Sequence, residues 1–175
     1  MVKKIGDNIM KIALGSDRNG VIDKEKLIEH LCLEGYEILD VGPYNIDLPV
    51  DYPIYGKKVG EAVASGDCQY GIVICSTGIG ISIAANKVKG IRCGMGYADY
   101  VAKQMREHID ANVIAFGQDH MDYSDIERRV DIFLNTPFLG AHHCARIQQL
   151  ADMEDGKDIY PSPILNKEFA KGDNR

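Results

Sequence analysis

The stretch from Tyr70 to Lys87, YGIVICSTGIGISIAANK, leaves few folds open to this chain. Ile72, Val73 and Ile74 are consecutive β-branched apolar residues, as in a strand covered on both faces of a parallel sheet. Gly78 and Gly80 follow, and then a run that reads as a helix. Glycines at such a junction permit a tight turn in which backbone N–H groups converge at a helix N-terminus, where an anion or a developing oxyanion is stabilised. Cys75 stands where the strand meets the turn. The helix dipole and unpaired N–H donors favour negative charge on a thiol placed there. A small buried packing residue suits the same position, and both readings stay open at this point.

The rest of the chain alternates in the same way. The pattern predicts a strand over 10–15, then a helix from about Ile22 with Asp23 as N-cap, Leu27, Ile28 and Leu31 inward, and Gly35 as terminator. A strand over 36–41 precedes a loop holding Pro43, Pro49 and Pro53, and then a helix burying Tyr55, Val59 and Val63 that Gly66 closes. After the central stretch come a strand over 90–96, a helix over 98–108 and a strand over 112–116. A helix over 124–134 follows, with Ser124 and Glu127 as a capping box and Pro137 beyond it. A last helix spans about 139–153. Residues 10–155 are expected to form a single domain, flanked by a loose polar extension over 1–9 and an extended or disordered tail over 156–175. Strands alternating with helices make a doubly wound α/β layer fold, whose ligands lie beyond the carboxyl ends of the strands. Asp17 and Cys75 then share one rim.

Composition narrows the function. A chain of 175 residues with 45% hydrophobic and 26% charged residues can bury a core of ordinary size. A net charge of −6 argues against nucleic acid or a membrane surface as partner, since both require a cationic face. No apolar run approaches the ~18 residues of a membrane span, and the N-terminus has no signal-peptide pattern. Cysteines at 32, 68, 75, 93 and 144 show no paired spacing, as expected of reduced thiols in the cytoplasm. No CxxC or HExxH pattern proposes a metal. No GxGxxG follows the first strand, which argues against a bare nucleotide-binding domain.

Several side chains carry two readings. Asp17 could orient a substrate hydroxyl or simply bond its own turn. His108 could exchange protons near neutral pH or satisfy a helix C-terminus. Thr77 could donate to a substrate or cap the next helix. Arg146 reads as a surface arginine. His142, His143 and Cys144 are adjacent, and adjacent helical residues point apart, so a shared metal ion is not expected.

At CSTGIGISIAANK, Cys75 to Lys87, the chain resembles the sugar-phosphate isomerase family of type B ribose-5-phosphate isomerases and galactose-6-phosphate isomerase subunits. Leu14-Gly15-Ser16-Asp17, Asp51-Tyr52-Pro53, Gly90-Ile91-Arg92 and the run from His108 to Gly117 match that family in order and spacing, so the likeness covers about residues 10–150. The resemblance implies a Rossmann-like three-layer sandwich with a five-stranded parallel sheet and a C-terminal helix that contacts a second subunit. It also implies an aldose–ketose isomerisation through a cis-enediolate, with neither cofactor nor metal. In that reading Cys75 moves the proton between C2 and C1. Thr77 and the backbone N–H groups of Ser76, Gly78, Ile79 and Gly80 steady the enediolate. His108 and Asp17 help to open the sugar ring. Arg146 binds the phosphate across a homodimer interface, and His142, Asn112 and Arg18 complete the substrate-binding set.

Three positions depart from the pattern. Arg18 stands in place of the family's usual histidine, Asp119 in place of a phosphate-binding cation found in many members, and His142 in place of a second arginine. The leading expectation is isomerisation of ribose 5-phosphate to ribulose 5-phosphate in a homodimer or larger homo-oligomer. The stretch from Asp51 to Gly66 is similar to the cysteine-bearing galactose-6-phosphate isomerase subunit, which would call for a paralogous subunit. A sugar-phosphate binder without turnover is the rival that Asp119 and His142 raise.

Overall fold

The computed structural model describes residues 3–5, 8–45, 47 and 50–161. It opens on an antiparallel ribbon of β1 (Lys4–Ile5) and β2 (Asn8–Ile9). The predicted alternation follows as β3 (Lys11–Ser16), α1 (Val21–Leu33), β4 (Glu37–Asp40), α2 (Tyr52–Ala64), β5 (Tyr70–Cys75) and α3 (Ile79–Asn86). The second half runs β6 (Cys93–Met95), α4 (Asp99–Ile109), β7 (Val113–Gly117), α5 (Tyr123–Asn135) and α6 (His143–Glu154). Five strands pair in the order β4-β3-β5-β7-β6, all parallel. Ser16 lies opposite Ile74, and Cys75 opposite Gly117, so these residues share the carboxyl edge.

The period of two along β5 divides the core. Ile72 and Ile74 pack with Leu27 and Leu31 of α1, Met105 of α4 and Phe133 of α5. Val73 and Cys75 pack with Val59 and Val63 of α2 and Ile81 of α3. Helices therefore cover both faces, which is why the strand reads as a continuous apolar run rather than an alternating one. The result is a three-layer α/β sandwich, as the sequence predicts. Among the described residues no helix is long and apolar enough to cross a membrane.

Four local expectations are corrected. α1 takes Gly20 as its N-cap, and Asp23 sits inside the first turn. α5 starts at Tyr123, after an extended Asp122 whose carbonyl accepts from the Asp125 and Ile126 N–H groups. Ser124 thus lies within the helix and makes no capping bond. α6 begins at His143 rather than near 139, because Gly140 and Ala141 adopt positive φ (66° and 52°), which stops a right-handed helix from extending back. The N-terminal segment is not loose where it is described: Lys3 N–H donates to Gly35 O (3.0 Å) and Met10 N–H to Lys3 O (2.9 Å). Pro49 and residues 162–175 lie outside the described residues.

Candidate active site

β3 and β5 are neighbours whose exit loops leave on opposite faces, one into α1 and the other into α3. Such a switch point opens a crevice at the carboxyl edge, and doubly wound proteins place ligands there. Asp17, Arg18 and Asn19 form one wall and Cys75 to Gly78 the other. Cys75 is 4% exposed, and its sulfur accepts the Gly78 N–H at 3.1 Å. Gly78 is the N-cap of α3 in left-handed conformation (φ 79°), and a Cβ on it would lie 2.9 Å from the Phe116 carbonyl carbon. Only glycine meets both conditions. A Cβ on Gly117 would overlap the Thr77 carbonyl, so the turn after Cys75 rests directly on backbone at the end of β7. Gln118 N–H donates to Cys75 O and Asp119 N–H to Ser76 O, each at 3.0 Å, which extends that support one residue past the strand.

Around this turn the predicted residues take definite places. Thr77 is exposed, and its hydroxyl accepts the Ile79 N–H at 3.4 Å, a weak local contact at the helix start. The Tyr52 ring lies over Gly80, where a Cβ would approach it to 2.7 Å, so the Asp51-Tyr52-Pro53 segment roofs the first turn of α3. Asp17 Oδ1 accepts the N–H groups of Asn19 (2.9 Å) and Gly20 (3.0 Å), the turn role its residue type suggests. Arg18 and Asp119 are both exposed at this rim.

The remaining predicted residues lie at the opposite end of the sheet. α4 returns from the carboxyl edge and ends beside the start of β7, so His108 sits at the amino edge. Gly71 and Cys75 are four residues apart on β5, which alone separates the two edges by about 13 Å. His108 stacks on His143 with ring centroids 4.5 Å apart and planes 11° apart, and the His142 ring lies 4.0 Å from that of His143. The two adjacent histidine rings meet at the start of α6, where His142 is the N-cap residue. Arg146 Nη1 comes to 3.4 Å from His143 Nδ1 and is otherwise exposed. Asn112 ties a turn together: its amide oxygen accepts the Arg92 N–H (2.8 Å), and its nitrogen donates to Gly90 O (2.8 Å). One chain therefore joins Cys75, Thr77, Asp17 and Arg18, and separately His108, His142 and Arg146, without joining the two groups. Among the described residues no three or more His, Cys, Asp or Glu side chains are placed to hold a metal ion.

Two residues of the carboxyl rim escaped the sequence reading. Asn19 donates from its side chain to the Ser76 hydroxyl oxygen (2.5 Å). Lys24 is 1% exposed and bonds both Asp40 oxygens (2.6 and 2.7 Å). Asp40 also takes the Gly42 N–H (2.9 Å), and Gly42 O in turn receives the Ser16 N–H (3.1 Å). A lysine at an inward helix position beside an aspartate at a strand end was the only local sign of that pair.

This arrangement has relatives. Residues 12–150 match the Ribose/Galactose Isomerase family. The chain is 38% identical over 148 residues to ribose-5-phosphate isomerase B of Escherichia coli, covering 85% of this chain and 99% of that one. It is 39% identical over 129 residues to the galactose-6-phosphate isomerase subunit LacB of Clostridium acetobutylicum, covering 74% of each. The structure of Clostridium thermocellum ribose-5-phosphate isomerase B superposes with a TM-score of 0.82 at 44% identity, covering 84% of this chain and 99% of that one. With that match running from β3 into α6 and taking in the whole crevice, the chain belongs to the Ribose/Galactose Isomerase family of sugar-phosphate isomerases.

Proposed function

We propose that the chain interconverts ribose 5-phosphate and ribulose 5-phosphate by proton transfer at Cys75. The observation that carries this is the buried sulfur at a strand end, receiving the Gly78 N–H at a helix N-terminus. In the open-chain aldose the thiolate takes the proton from C2, the C2–H pair forms the C1–C2 double bond, and the carbonyl electrons move to O1. Returning the proton from sulfur to C1, with a proton passing from O2 to O1, leaves the ketose. Donors already aimed at the place where charge develops are an effective source of rate. Thr77 and the N–H groups of Ser76 and Gly80 take that role, joined by the Gly78 and Ile79 N–H groups as they turn from the Cys75 sulfur and the Thr77 hydroxyl to the substrate. Asp17 and His108 open the ring, and Arg146, His142 and Arg18 hold the phosphate.

The separation of the two residue groups supports a site shared between two copies: Cys75 from one, and His108 with Arg146 from the other. Ile79 and Ile83, 55% and 54% exposed on α3 beside the crevice, provide apolar surface for such a contact. The test is turnover by the purified full chain on a panel of pentose and hexose phosphates. Cys75→Ala is expected to abolish both turnover and exchange of the C2 hydrogen with solvent. Retained exchange in that variant would overturn the role of the sulfur.

A second reading rests on the similarity to LacB: activity on galactose 6-phosphate, with a paralogous subunit. Turnover of that sugar only after a paralogue is added would favour it. Binding of sugar phosphates without turnover of any would favour a binding protein, the reading that Asp119 and His142 raise.

A further inference from the structure

Asn19 stands just beyond the family-like stretch Leu14 to Asp17, yet it joins the two walls of the crevice. Its backbone N–H donates to Asp17 Oδ1 (2.9 Å), and its side-chain nitrogen donates to Ser76 Oγ (2.5 Å). Ser76 is the residue directly after Cys75. Its backbone is held from the other side by the Asp119 N–H (3.0 Å), which leaves rotation about the Cα–Cβ bond as its main freedom. A hydroxyl has one proton and two acceptor sites. With one acceptor site filled by Asn19 from the α1 wall, the O–H bond turns away from Asn19 and stays available to donate to another partner.

We propose that Asn19 is a positioning residue that makes the Ser76 hydroxyl a donor to a sugar oxygen beside the Cys75 sulfur, and so sets which phosphorylated sugar the crevice prefers. This rests on the sugar-phosphate reading of the site. A site built to hydrogen-bond a particular hydroxyl discriminates against sugars that place it elsewhere. Asn19 is itself pinned through Asp17 and Gly20, so the donor is ordered before substrate arrives.

The test measures dissociation constants of ribose 5-phosphate and galactose 6-phosphate by calorimetry, and takes their ratio. It compares the wild-type chain with Asn19→Ala, Ser76→Ala, the double variant and Asn19→Asp. A ratio is insensitive to how much of each preparation is active. It is expected to shift about fivefold or more in each alanine variant, a neutral hydrogen bond's worth. The double variant should match Ser76→Ala within about twofold, since two residues acting through one contact are not additive. Asn19→Asp keeps the shape but can only accept from Ser76, so it should behave like Asn19→Ala; a merely structural role would be rescued by it. An unchanged ratio in Asn19→Ala, or full rescue by Asn19→Asp, would overturn the proposal. Turnover of the wild type is scored separately. Binding without turnover would overturn the isomerase reading and leave the ratio to judge Asn19. Binding of neither sugar would overturn both.

Discussion

At the scale of single residues, the rim is built from close backbone approaches and one buried charge. Gly117 has no room for a side chain against the Thr77 carbonyl. Gly117→Ala is expected to lower stability by about 2 kcal/mol and the melting temperature by about 5 °C. It should also cut turnover, because the displaced backbone carries the Cys75 turn. Thermal denaturation together with kcat checks both. Lys24 is a different case, since its ammonium is buried while Asp40 keeps a quarter of its side chain in water. Lys24→Ala leaves that carboxylate without its cation and is expected to cost about 2–3 kcal/mol, below the figure for a fully buried pair. Denaturant unfolding measures it. Of these features, the glycine turn and Cys75 were legible in the sequence because their geometry is local. The Asn19–Ser76 bond was not, since it joins residues 57 apart whose meeting depends on which strands are neighbours. Cysteine type alone also did not separate roles: burial pushes the Cys93 thiol up to about 12, which keeps it a protonated packing residue.

At the scale of elements, every predicted strand and long helix is present, because each carries its own apolar period and glycine or proline boundary. The ends moved where capping depends on tertiary position, as Ser124 and the start of α6 show. α4 and α5 are joined by charge: Asp99 bonds Arg128 (2.9 and 3.0 Å) and Arg129 (3.2 Å), and Arg129 also reaches Gly96 O (3.3 Å). The hydrogen bond from Arg128, and then that from Arg129, hold the Asp99 carboxyl below its ordinary 3.8. A lowered folded value means that the charged form is favoured in the fold. Its contribution is complete above about 3.8 and is lost as pH falls through the lower folded value. Asp99→Asn should therefore melt below the wild type at pH 6, with the difference shrinking as pH falls below about 3.8 and through the lower folded value. Melting temperature across that range decides it. A difference independent of pH would show that the contact acts through shape rather than charge.

At the scale of the whole molecule, the fold places Cys75, Asp17 and Arg18 on one edge of the sheet and His108, His142 and Arg146 on the opposite edge. A site shared between two copies makes a sharp prediction. Cys75→Ala and His108→Ala chains should each be inactive alone. Co-expressed, about half of the dimers are mixed, and each mixed dimer has one site with both residues intact, so about a quarter of wild-type activity should return. A mixture that stays inactive would sink the shared site. At the far edge, α6 is clamped at its end by Glu154, which accepts the Gly90 N–H (2.9 and 3.1 Å), and by the Lys89–Asp155 pair (2.5 Å). These contacts fix the C-terminal end of the helix that carries Arg146.

The sequence by itself determined the layered α/β plan and the cysteine-bearing turn at the carboxyl edge of its sheet. Those follow from periodicity, glycine placement and strand direction, which are properties of short segments. The tertiary structure alone decided that β3 and β5 are neighbours, that Asn19 therefore meets Ser76, and that α4 carries His108 to the far side of the sheet. Strand order and helix direction are set by how distant segments bury one another's apolar faces, a free energy shared over the whole core that no local window of residues contains.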